Sequence, residues 1–149
     1  MKEKIRTENS FQQEPLRILH VDDDASFLRV SKLILEIENN KFEIDTATSV
    51  DEASSKLETQ PFDAIVCDYE MPIKDGLDFL KELREQKNNI AFIIFTGKGR
   101  EEVAIKALNL GADHYINKTG SPEAVYSELA DAIRKIVKGK KEASPTTLK

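Results

Sequence analysis

Phe62-Asp63-Ala64-Ile65-Val66-Cys67-Asp68-Tyr69-Glu70-Met71-Pro72-Ile73-Lys74-Asp75-Gly76 is the stretch whose reading decides the fold. Its first six residues form an apolar run too short for a helix, and the run stops abruptly at turn-forming chemistry, so it reads as a buried strand. Asp68 stands at the junction. The pattern therefore predicts a carboxylate delivered to the exposed carboxyl end of a core strand.

Working outward, similar Ile-, Val-, Leu- and Phe-rich runs lie near residues 17–21, 42–47, 90–95 and 113–117, each followed by a segment of helical period. Phe27, Val30, Ile34 and Ile37 are expected to form the core face of the first helix. Val125, Leu129, Ile133 and Ile136 are expected to do so in the last, after Ser121 as N-cap and Pro122 in the first turn. Five β-then-α units predict a doubly wound α/β fold, because parallel strands need long crossovers that cover both faces of the sheet. In such sheets, ligands bind outside the carboxyl ends of the strands. Asp22-Asp23-Asp24 follows the first run, Thr96 ends the fourth and Lys118 follows the fifth, so these strand ends are expected to converge on one site, with Asp22, Asp23, Thr96 and Lys118 beside Asp68.

The chain has 149 residues, 40% hydrophobic and 33% charged, which fits one globular domain of about residues 16–138 between polar, flexible tails at 1–15 and 139–149. A net charge of -5 argues against a nucleic-acid surface, and no apolar run approaches the ~20 residues of a membrane helix. The expectation is a cytoplasmic protein. Cys67 is the only cysteine, which leaves it as a small buried apolar residue rather than half of a disulfide.

Asp22 and Asp23 beside Asp68 would repel one another unless a cation entered, and an all-oxygen site with room for water and a phosphate oxygen suits Mg²⁺ best, with Mn²⁺ as a substitute. Lys118 adds a compact positive charge that favours ionised Asp68. An ionised, partly desolvated carboxylate is a competent nucleophile toward phosphorus. Thr96 can donate to a phosphoryl oxygen, and Gly97 is expected to allow close backbone approach. Asp24 is expected to be a helix cap, His20 a packed core histidine, and the basic run from Arg134 to Lys141 a solvated helix end. A calcium loop beginning at Asp68 fails, because Phe79 stands at its twelfth position.

His20-Val21-Asp22-Asp23, Val66 to Gly76, Phe95-Thr96-Gly97 and Tyr115-Ile116-Asn117-Lys118, in that order, make residues 16–138 resemble a response-regulator receiver domain. The resemblance implies a flavodoxin-like or CheY-like sheet of order 2-1-3-4-5, with Asp68 as phosphoacceptor and Thr96 and Lys118 as phosphate sensors. It also implies Asp22, Asp23, Asp68 and the Glu70 backbone carbonyl as metal ligands, and a switch coupling Thr96 to Tyr115. Its implied partners are a histidine kinase or phosphotransfer protein and a downstream protein at the surface of the fourth helix, fifth strand and fifth helix. Such a chain is a signalling module, monomeric or dimerising on phosphorylation, that catalyses only its own phosphorylation and dephosphorylation. Glu70 and Lys98 are expected to pair across the site and set the lifetime of the phosphoryl group.

One departure stands out. Receivers usually carry Pro after the lysine, joined by a cis bond, whereas Thr119 follows Lys118 here, so the loop either stays trans with relief at Gly120 or stores strain. Two other classes compete. A phosphatase of the haloacid-dehalogenase type needs a second Asp two residues after the nucleophile, where Asp68 is followed by Glu70 and Asp22 by Asp24. A degenerate receiver serving only as an interaction module would fit Thr119, but not the complete acidic set.

Overall fold

A computed structural model describes residues 14–39, 41–97 and 100–143. Strands β1 (Leu16–Val21), β2 (Phe42–Ala47), β3 (Ala64–Cys67), β4 (Ala91–Thr96) and β5 (His114–Asn117) alternate with helices α1 (Ala25–Glu38), α2 (Val50–Thr59), α3 (Gly76–Glu85), α4 (Glu101–Leu110) and α5 (Pro122–Ala143). All pairings are parallel, and the spatial order is β2-β1-β3-β4-β5. The doubly wound sheet expected from the alternation is the one observed.

The central strands read as unbroken apolar runs because both of their faces are buried. Leu19, Val21, Ile65, Cys67, Phe92 and Ile94 pack on one side with α2, α3 and α4. Ile18, Ala64, Val66, Ile93, Phe95 and Ile116 pack on the other with α1 and α5. Helix starts follow local chemistry: Asp24 caps α1 through the Phe27 N–H at 3.0 Å, and Asp75 caps α3 in a reciprocal capping box with Asp78. Ser121 accepts from the Ala124 N–H at 3.2 Å, ahead of Pro122.

Two helix readings need correction. In α1 the buried line is Leu28, Ser31 and Leu35, while Phe27 and Ile34 flank it and Val30 and Ile37 are 52% and 75% exposed. Apolar residues surround this helix, so periodicity alone admits two stripes. The true one is disguised by Ser31, whose hydroxyl is buried 2.7 Å from the Tyr126 hydroxyl of α5. In α5 the buried line continues from Ile133 to Val137, with Ile136 only partly buried. That helix also runs past Gly139, where the sequence reading ends the domain, to Ala143. Lys140 pairs with Asp113 at 3.2 Å and Lys141 with Asp63 at 3.6 Å, so these basic residues hold the helix end against the body. Both expected tails otherwise fall largely outside the described residues.

The outer edge of β2 is closed by side chains. Glu36 accepts from the Ile44 N–H at 2.8 Å, and Lys32 donates to the Ile44 carbonyl at 2.6 Å. Lys56 donates to the Thr46 carbonyl at 2.7 Å, while Asp45 accepts from the Thr46 N–H at 2.8 Å. Charged groups thus occupy backbone positions that another strand would use.

Candidate functional site

The carboxyl ends of β1, β3, β4 and β5 converge as expected. The Asp68 N–H donates to the Val21 carbonyl at 2.9 Å, and the Lys118 N–H donates to the Thr96 carbonyl at 2.9 Å, so ladder hydrogen bonds carry the sheet's order into the site. Asp22, Asp68 and Thr96 are buried and Asp23 is exposed. Asp22, Asp23 and Asp68 each present a carboxylate oxygen within 4.8 Å of the others.

Lys118 favours one carboxylate over the other. Its Nζ lies 2.7 Å from Asp22 Oδ2 and 3.8 Å from Asp68 Oδ1, so its direct hydrogen bond goes to Asp22 rather than to the expected Asp68. Asp68 accepts instead from the Tyr69 N–H at 2.8 Å and from the Thr96 side chain. Burial, and secondly the neighbouring Asp22, push the Asp68 carboxyl above its ordinary value. Thr96, Lys118 and Tyr69 offset this only in part. Without a cation the cluster is electrostatically frustrated.

Glycine matters here at a position the sequence reading passes over as turn chemistry. A Cβ on Gly76 would stand 2.3 Å from the Asp68 carbonyl oxygen, whereas one on Gly97 would only touch the Lys118 stem at 3.8 Å. Close approach therefore belongs to Gly76, whose N–H also donates to the Tyr69 carbonyl at 2.8 Å and folds α3 back under the strand end. Between them Ile73 is 96% exposed and held at φ 72°, an unfavourable backbone for a β-branched residue. The described residues contain no cis peptide, and Gly120 takes φ 109°, so the loop after Lys118 is trans with its relief at glycine.

The remaining residues fall into place around this centre. Cys67 is buried, and its thiol donates to the Asp68 carbonyl at 3.2 Å. His20 lies edge-on to Phe27 and tilted against Phe95, with neither ring nitrogen hydrogen-bonded. Burial, reinforced by the Lys118 charge, lowers its pKa to about 3 and keeps it neutral. Tyr115 packs beside Tyr69, its hydroxyl enclosed without a hydrogen-bond partner; burial raises that phenol's pKa. Glu70 is exposed in the loop after β3. Lys98, its expected partner, lies outside the described residues.

The family model for the response regulator receiver domain matches residues 18–130. The chain belongs to that family. As a receiver domain of the two-component type, it is 35% identical over 119 residues to the alkaline phosphatase synthesis transcriptional regulatory protein PhoP of Bacillus subtilis, covering 80% of this chain and 49% of PhoP. It is 36% identical over 121 residues to the response regulator SaeR of Staphylococcus aureus, covering 81% and 52% respectively. The chain thus spans about half the length of the curated relatives it matches. A receiver domain structure from Clostridium thermocellum superposes with a TM-score of 0.74 at 32% identity, covering 85% of this chain and 97% of that one. The CheY-like receiver of Methanospirillum hungatei gives 0.71 at 30%, covering 82% and 96%. No helix among the described residues is long and apolar enough to cross a membrane.

Proposed function

We propose that this receiver is a phosphoacceptor switch of a His-Asp phosphorelay, taking a phosphoryl group onto Asp68 from a histidine kinase or phosphotransfer protein. The observation that carries the reading is the meeting of Asp22, Asp23 and Asp68 within 4.8 Å, bordered by Thr96 and Lys118. An Asp68 carboxylate oxygen attacks phosphorus, the bond from phosphorus to the donor's leaving atom breaks, and that atom keeps the electron pair. Thr96 then hydrogen-bonds a phosphoryl oxygen in place of the carboxylate it now binds. Lys118, anchored on Asp22, lies close enough to neutralise charge growing at Asp68.

The oxygen-only donor set and the raised Asp68 carboxyl fit a hard divalent cation. Asp22, Asp23, Asp68 and the Glu70 backbone carbonyl would hold Mg²⁺, or Mn²⁺, which when bound supplies charge neutralisation for the carboxylates and the incoming phosphoryl oxygens. Output leaves by α4, β5 and α5: as Thr96 turns to the phosphoryl group, Tyr115 fixes the arrangement of that surface for a downstream protein in the cytoplasm. The chain acts on no other substrate.

Incubation with acetyl phosphate and Mg²⁺ tests this by intact-mass spectrometry. One added phosphoryl group is expected, absent from Asp68→Ala. Label persisting in that variant, or sustained release of phosphate from phosphomonoesters, would sink the assignment.

A further inference from the structure

Lys118 reaches the acidic cluster on a long rotatable stem; its own N–H is held by the Thr96 carbonyl and that of Thr119 by Asn117 Oδ1 at 3.0 Å, but these bonds fix the backbone and do not aim the stem's end. Thr119 and Gly120 are exposed. Three carboxylates crowd within 4.8 Å, so an unguided ammonium has several partners of similar attraction. Something must select the observed pose, 2.7 Å from Asp22 and 3.8 Å from Asp68.

Two aromatic rings stand against the ammonium. Its Nζ is 4.2 Å from the centroid of Phe27 and 5.8 Å from that of Phe95. Those rings are themselves fixed: their centroids are 5.9 Å apart, His20 meets Phe27 edge-on at 5.9 Å, and Tyr126 meets Phe95 edge-on at 6.2 Å. The Phe27 backbone is pinned in the first turn of α1 by the Asp24 carboxylate. A cation near a ring face is attracted by the ring quadrupole, most strongly where water is scarce. Lys118 is largely shielded, with 21% of its side chain exposed.

We infer that Phe27 is a positioning residue for phosphoryl transfer, its ring holding the Lys118 ammonium on Asp22 and within reach of Asp68. Only the kinetic consequence rests on the phosphoacceptor reading; the positioning is a statement about Lys118 itself. Phe27 also lines an apolar groove of about 470 Å³ with Val30, Ile34, Pro122 and Val125. Its side chain therefore has room to be exchanged. Leucine keeps the apolar contact and loses the π face, whereas tyrosine keeps both.

The test compares wild type, Phe27→Leu and Phe27→Tyr by two readouts: the initial rate of labelling by acetyl phosphate with Mg²⁺, and the NMR shift of the Lys118 ε-methylene. Ring current places that resonance upfield in wild type and Phe27→Tyr, and Phe27→Leu moves it back toward the ordinary lysine position. The rate falls about fivefold in Phe27→Leu, equivalent to about 1 kcal/mol, and stays within about twofold of wild type in Phe27→Tyr. A wild-type rate in Phe27→Leu, or an unmoved Lys118 resonance, overturns the inference. If Phe27→Leu does not fold, Phe27→Met takes its place under the same criteria. Should the wild-type chain accept no label, the proposed function fails, and the Lys118 resonance alone then decides the positioning.

Discussion

Acid should weaken this fold through His20 before most carboxylates titrate. The imidazole is 1% exposed with both nitrogens unpaired, and its pKa is lowered to about 3 in the folded chain. Unfolding returns it to the ordinary histidine value of 6.5. Between those values the unfolded state binds the extra proton, so stability rises with pH, is fully present above about 6.5 and is lost as pH falls toward 3. From pH 7 to pH 5 the loss integrates to about 2 kcal/mol, at roughly 1.4 kcal/mol per pH unit below the unfolded pKa. Urea unfolding at both pH values, at constant ionic strength, measures it. His20→Leu removes the titration and two unsatisfied buried nitrogens at similar volume, so at pH 7 it should lie within about 1 kcal/mol of wild type. Its loss at pH 5 should be smaller by about 2 kcal/mol. Equal losses in the two proteins would refute the reasoning.

Gly76→Ala places a Cβ 2.3 Å from the Asp68 carbonyl oxygen, so the helix or the phosphoacceptor must move. We expect about 1–3 kcal/mol of destabilisation in urea and at least about a tenfold slower labelling of Asp68; a wild-type rate would show that the loop absorbs the methyl group harmlessly. Ile73→Gly relieves a β-branched residue at φ 72° whose side chain is 96% exposed, and should raise the unfolding free energy by about 1 kcal/mol, with a fall counting against strain there. Glu70→Ala combined with Lys98→Ala should speed loss of the phosphoryl group from Asp68, followed by mass spectrometry after removal of donor, and an unchanged or slower loss would count against the expected role of Glu70 and Lys98 in its lifetime.

Much of this molecule was legible because its signals were redundant. Five apolar runs, each ending in a polar break, specify the parallel sheet, and the strand ends bring Asp22, Asp23, Asp68, Thr96 and Lys118 together with no tuning of side chains. What escaped depended on three-dimensional proximity across elements. Ser31 disguised the buried face of α1, because its partner Tyr126 is distant in the chain. Gly76 resembled ordinary turn chemistry, since only the folded chain brings it under the Asp68 carbonyl. Phe27 looked like one more core residue of α1; its place under Lys118 is set where the first turn of α1 meets the loop after β5. The preference of Lys118 for Asp22 is likewise a matter of ångströms that residue types do not encode.

The side chains along β2 have a consequence for how copies of this molecule can associate. A sheet with two free edges can add neighbours without limit and grow into a filament. Here Lys32, Glu36, Asp45 and Lys56 already occupy the outward N–H and carbonyl groups of Ile44 and Thr46 in β2. A strand arriving at β2 must first break these four hydrogen bonds, so growth of the sheet from that edge is opposed.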